Sequence, residues 1–87
     1  MVSNIVTINH TAGLHARPAS LFTQTAQQYA SEISVSFEGK TVNAKSLISL
    51  LSLGVVQGSQ IIINAIGDDG DDALMALCAL VADNFGE

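Results

Sequence analysis

His15, Arg17 and Pro18 fall together in the octapeptide Gly13-Leu14-His15-Ala16-Arg17-Pro18-Ala19-Ser20. A proline is at home in the first turn of a helix, where its missing N–H goes unused and its fixed φ is already helical. The histidine is therefore expected at a helix start. There the unpaired backbone amides and the positive end of the macrodipole attract anions. Imidazole is a competent nucleophile at cellular pH, and a guanidinium two residues away can pair with phosphate oxygens. These residue types in this order point to phosphoryl chemistry on His15, with Arg17 as the phosphate clamp. A lone histidine is more often a surface or capping residue, and that alternative stands beside the chemical one.

The elements that hold this segment can be read from periodicity. Val6 and Ile8 alternate with Thr7, which predicts a first strand over residues 2–8. A helix follows to about Gln28, with Ala19, Phe22, Ala26 and Tyr29 on one apolar stripe. Ile33, Val35 and Phe37 alternate with serines in a half-exposed strand, and Glu38-Gly39 turns the chain into a second strand over residues 40–43. Leu47, Leu50 and Leu51 mark a short helix ending near Gly54, with Leu50 and Leu53 as its core residues. Ile61 to Ile66 reads as a central strand. Asp68 to Asp72 supply N-cap and first-turn acids to a last helix whose stripe is Leu74, Leu77, Cys78 and Val81. The order β-α-β-β-α-β-α predicts an α+β open-faced sandwich, a four-stranded antiparallel sheet covered on one face by three helices. Residues 1–87 are expected to form one domain.

Composition narrows the function classes. Hydrophobic residues make up 48% of the chain and charged residues 13%, which is too apolar for a disordered segment. The net charge of −5 comes with only three Lys and Arg residues, so charge-driven binding to nucleic acid or an anionic membrane is not expected. No secretory signal is read at Met1–Asn4, and the apolar run from Ala73 to Ala82 is about half a membrane span. A cytoplasmic monomer is expected. Cys78, the single cysteine, rules out an intrachain disulfide and is expected to be buried and inert. No metal site or cofactor is expected. His10 is read as exposed, and the Asp68–Asp72 cluster lacks the acid that a calcium loop would need where Ala79 sits.

Gly13-Leu14-His15-Ala16-Arg17-Pro18-Ala19 resembles the active-site signature of HPr, the family of histidine-containing phosphocarriers in the bacterial phosphoenolpyruvate:sugar phosphotransferase system. A second stretch, Asn43 to Gly54, is similar to that family's regulatory-serine segment. The two motifs keep the family's spacing, and the resemblance covers essentially the whole chain. It implies the open-faced sandwich, with phosphate taken on His15 Nδ1 from enzyme I and passed to a sugar-specific enzyme IIA. Such a protein is a transfer intermediate rather than a standalone enzyme.

Ser46 reads as a helix N-cap on its own residues, and the resemblance adds phosphorylation by a serine kinase. That role brings a serine kinase/phosphorylase and a transcriptional regulator as further partners. Leu47, Ile48 and Leu51, with Ser20 and Lys45, form the expected docking surface, since a short helix buries only one face. Many relatives carry lysines where this chain has Gln24, Gln27 and Ser49. Arg17 and Lys45 are then the expected source of positive field near His15. The alternatives are a regulatory binding module, or a carrier in a nitrogen- or dihydroxyacetone-linked branch.

Overall fold

A computed structural model describes residues 1–87. The elements run β1 (Val2–Thr7), α1 (Ala16–Ala26), β2 (Glu32–Phe37), β3 (Lys40–Asn43), α2 (Leu47–Ser52), β4 (Gln60–Ile66) and α3 (Gly70–Ala82), closed by a 3-10 turn at Asn84–Gly86. The four strands form one antiparallel sheet in the order β1-β4-β2-β3, with the three helices on one face, as the α+β reading expected. β4 is central: Val6 faces Ile61 on one side, and Val35 faces Ile63 on the other.

Alternation along the strands separates the two faces. Ile33, Val35, Ile61, Ile63 and Ala65 point under the helices and are buried, with Phe22 of α1, Leu50 of α2 and Leu77 of α3 completing the core. The outer face carries polar groups, where Asn64 Nδ2 donates to the hydroxyls of Ser34 and Ser36, both at 3.3 Å. Phe22 is fully buried, and truncating such a ring to alanine costs about 3–5 kcal/mol. At the β2–β3 hairpin Phe37 pairs with Lys40. Glu38 and Gly39 both take left-handed φ, 49° and 80°, as a two-residue type I′ turn requires.

Three expectations need correction. α1 ends at Ala26 rather than near Gln28, because Gln28 and Tyr29 donate to the carbonyls three residues back, and this tightens the chain out of the α-helix. Cys78 is only half-buried, and Asn4 Nδ2 lies 3.5 Å from its Sγ. Asp69 sits at the N-cap of α3 but makes no side-chain cap bond. Its carboxylate instead reaches the α1–β2 connection, accepting from the N–H groups of Ala30 (2.8 Å) and Ser31 (2.9 Å) and from the Ser31 hydroxyl. These bonds, the Ser31 hydroxyl foremost, hold the Asp69 carboxyl below the usual aspartate range. Phe85, on which the sequence reading was silent, fills the core from beyond α3, with left-handed backbone at Asn84 and Phe85.

Candidate functional site

The loop between β1 and α1 is pinned before it reaches His15. Gly13 N–H donates to the His10 carbonyl at 2.9 Å, and Leu14 N–H donates to the Val55 carbonyl at 3.1 Å. Leu14 itself is fully buried. A Cβ at Gly13, where φ is +66°, would overlap the Val55 carbonyl oxygen. Glycine is thus required here by both the turn and the close approach. The same contact brings the end of α2 against the loop that presents His15.

His15 occupies the N-cap of α1 with extended backbone (φ −130°, ψ 170°), and its side chain makes no cap bond. It is half-buried. Ala16 then takes φ +50°, a conformation that costs a non-glycine residue about 1–2 kcal/mol. Pro18 is buried in the first turn and has no N–H to offer. Ala19 N–H turns back to the His15 carbonyl at 3.4 Å. The amides of Ala16 and Arg17 precede any intrahelical acceptor and stay open beside the imidazole. His15, the clamp candidate Arg17 and these amides are therefore brought together at one helix start.

Arg17 does not stand alone. Its Nε lies 3.2 Å from Glu87 Oε2, while Glu87 Oε1 lies 2.8 Å from His10 Nε2. His10 is buried rather than exposed, against expectation. Ala12 N–H donates to its Nδ1 at 3.0 Å, so the ring proton sits on Nε2 and donates to Glu87. The Phe85 ring packs edge-on against it, with centroids 6.0 Å apart. The hydrogen bond from His10, with the charge of Arg17 adding to it, holds the Glu87 carboxyl below the usual glutamate range. Sequence reasoning missed Glu87 altogether. Nothing in local periodicity signals a contact with a residue 77 positions away.

The second motif lies at the far end of the helix pair. Ser46 is the N-cap of α2, its hydroxyl accepting from Ser49 N–H at 3.3 Å. Lys45 Nζ donates to the Tyr29 carbonyl at 2.6 Å, and Gln27 Nε2 donates to the Lys45 carbonyl. Lys45 and Ser46 thus sit beside the C-terminal end of α1. The 11 residues of that helix separate them from His15 by about 16 Å of rise. The expectation that Lys45 adds to the field near His15 is corrected: its ammonium instead covers a carbonyl at the end of α1. Lys40 does the same for α2, lying 3.4 Å from the Ser52 carbonyl.

Between the two ends lies an apolar surface. Leu47, Ile48 and Leu51 are 38%, 81% and 37% exposed, and Val56 beyond the helix is 60% exposed, while Leu50 and Leu53 turn inward. Val56 had no signal in the sequence, because it belongs to no periodic element. On α1, Ser20 and Gln24 are joined by a bond from Gln24 Nε2 to Ser20 Oγ at 3.2 Å. No three His, Cys, Asp or Glu side chains converge as a metal site. No helix is long and apolar enough to cross a membrane.

The family described as the PTS HPr component phosphorylation site matches residues 2–83. The chain belongs to the HPr family. It is 42% identical to the phosphocarrier protein HPr of Buchnera aphidicola over 83 residues, covering 95% of this chain and 98% of that one. A crystal structure of HPr-C-His from Thermoanaerobacter tengcongensis superposes with a TM-score of 0.98 at 46% identity, over 100% of this chain and 98% of that chain. HPr of Bacillus anthracis gives 0.89 at 44% identity, over 92% and 95%. The chain is accordingly a phosphocarrier of the phosphotransferase system, which accepts phosphate on a histidine from enzyme I and passes it to enzyme IIA.

Proposed function

We propose that His15 is the phosphoryl acceptor of this cytoplasmic carrier and that Arg17 clamps the transferred group. The observation that carries this reading is the half-buried imidazole at the N-cap of α1, beside the open amides of Ala16 and Arg17. In the transfer, the lone pair of His15 Nδ1 forms a P–N bond as the bond from phosphorus to its donor atom on enzyme I breaks. That donor atom keeps the electron pair of the broken bond, and a second exchange of the same kind delivers the group to a sugar-specific enzyme IIA. Helix-start amides and Arg17 receive the negative charge. Partners dock on Leu47, Ile48, Leu51 and Ser20, with Val56 extending the apolar surface toward His15.

Ser46 takes the regulatory role. A phosphate there keeps the favourable end of α2 while placing negative charge beside the docking surface. The deciding experiment is incubation with phosphoenolpyruvate and enzyme I, read by intact mass. Wild type gains one acid-labile phosphoryl group and His15→Ala gains none. Normal labelling of His15→Ala would overturn the assignment.

A further inference from the structure

We infer that Glu87, held in place by His10, competes with the incoming phosphoryl group for the Arg17 guanidinium and so sets how tightly the carrier keeps its cargo. The inference rests on the reading of His15 as acceptor and Arg17 as clamp. Four groups form a continuous chain: Ala12 N–H to His10 Nδ1 at 3.0 Å, His10 Nε2–H to Glu87 Oε1 at 2.8 Å, and Glu87 Oε2 to Arg17 Nε at 3.2 Å. The first two links lie at a buried histidine whose ring is packed on the core residue Phe85. The carboxylate is therefore anchored from behind, and Arg17, whose side chain is 69% exposed, is the mobile partner.

Charge balance gives this arrangement a consequence. Before transfer, Arg17 and Glu87 sum to zero beside His15. A phosphoryl group brings about −1.5 to −2 charges, and its oxygens seek the same guanidinium that Glu87 already occupies. Pairing Arg17 with the phosphate means loosening it from Glu87, so part of the clamp's benefit is offset. A carrier must release what it accepts, and an unopposed arginine would hold the phosphoryl group more firmly. Glu87 is thus a positioning residue that acts through Arg17, and His10 acts through Glu87.

The test uses a poised mixture of phosphoenolpyruvate and pyruvate with catalytic enzyme I, and reads the phosphorylated fraction by intact mass. Glu87→Gln keeps an acceptor for His10 Nε2–H but removes the competing charge. It should shift the equilibrium toward the phosphorylated protein by about two- to fivefold, as expected for an exposed pair. His10→Phe, which keeps an aromatic ring against Phe85 but has no N–H for Glu87, should shift it in the same direction by less. In an Arg17→Gln background, Glu87→Gln should change the equilibrium much less than in wild type. An unchanged equilibrium for Glu87→Gln would overturn the inference, as would an equal shift with and without Arg17. Failure of the acceptor reading looks different: His15→Ala would then still be labelled, whatever Glu87 does.

Discussion

Lys45 Nζ lies 2.6 Å from the Tyr29 carbonyl oxygen, and this contact commits one of only three basic side chains to the end of α1 far from His15. Lys40 is spent in the same way on α2, and Arg17 faces Glu87. The bonded ammoniums keep their charge, but with three Lys and Arg against eight Asp and Glu the protein has little net positive field to offer an acidic partner. Transfer from enzyme I should depend only weakly on ionic strength, because steering needs exposed, unbalanced charge. Gln24→Lys adds such a charge next to Ser20 and should raise the low-salt association rate by about twofold or more. Leu47→Ser should slow docking equally at every salt concentration. A salt series of transfer kinetics for the three proteins distinguishes these outcomes. A steep salt dependence of wild type would contradict the account.

Ser46 separates a structural role from a regulatory one. Its hydroxyl caps Ser49 N–H, so Ser46→Ala should lose about 1 kcal/mol of stability in urea unfolding. Ser46→Asp keeps a capping oxygen and adds an anion at a helix start, so its unfolding midpoint should stay close to wild type. Transfer from enzyme I should nonetheless slow, since the new charge borders Leu47 and Ile48. If Ser46→Asp transfers at the wild-type rate, charge at this position does not regulate docking.

Asp69 governs part of the acid limb of the stability curve. Its carboxyl titrates below the ordinary aspartate range in the folded protein, chiefly through the Ser31 hydroxyl. A depressed folded pKa means that the unfolded chain binds the proton first as pH falls. The stabilisation is then complete above about pH 4 and disappears as pH drops through the lower, folded value. Asp69→Asn should be less stable than wild type at pH 7, and its urea midpoint should fall less between pH 5 and pH 2. Parallel acid limbs for the two proteins would show that the three bonds do not favour the charged form.

Gly13 tests how the loop before His15 is held. Alanine there meets both a left-handed φ of +66° and the Val55 carbonyl oxygen. Gly13→Ala should lower stability by about 2–4 kcal/mol, from backbone strain together with overpacking. It should also slow phosphoryl transfer more than the stability loss explains, because Leu14 and His15 follow directly. The check is urea unfolding paired with transfer rates measured where both proteins remain folded.

The parts of this protein legible in its sequence are those that neighbouring residues decide among themselves. Pro18 marked the start of α1, Glu38-Gly39 marked the hairpin, and the dense β-branched run from Ile61 to Ile66 marked the central strand. Each follows from a local steric or periodic rule. His15 at a helix start belongs to the same class, since a few adjacent residues place it there. The tertiary structure alone decided what those residues face. His10 is buried because the turn at Asn84–Gly86 folds back over it, bringing Phe85 against its ring and Glu87 to its Nε2. Asp69 leaves its own helix for Ala30 and Ser31, and Lys45 turns to Tyr29. A long polar side chain bonds whichever unsatisfied backbone group or charge the fold brings within reach. Periodicity carries no record of contacts between segments 38 or 77 residues apart; only packing of the finished sheet and helices sets them.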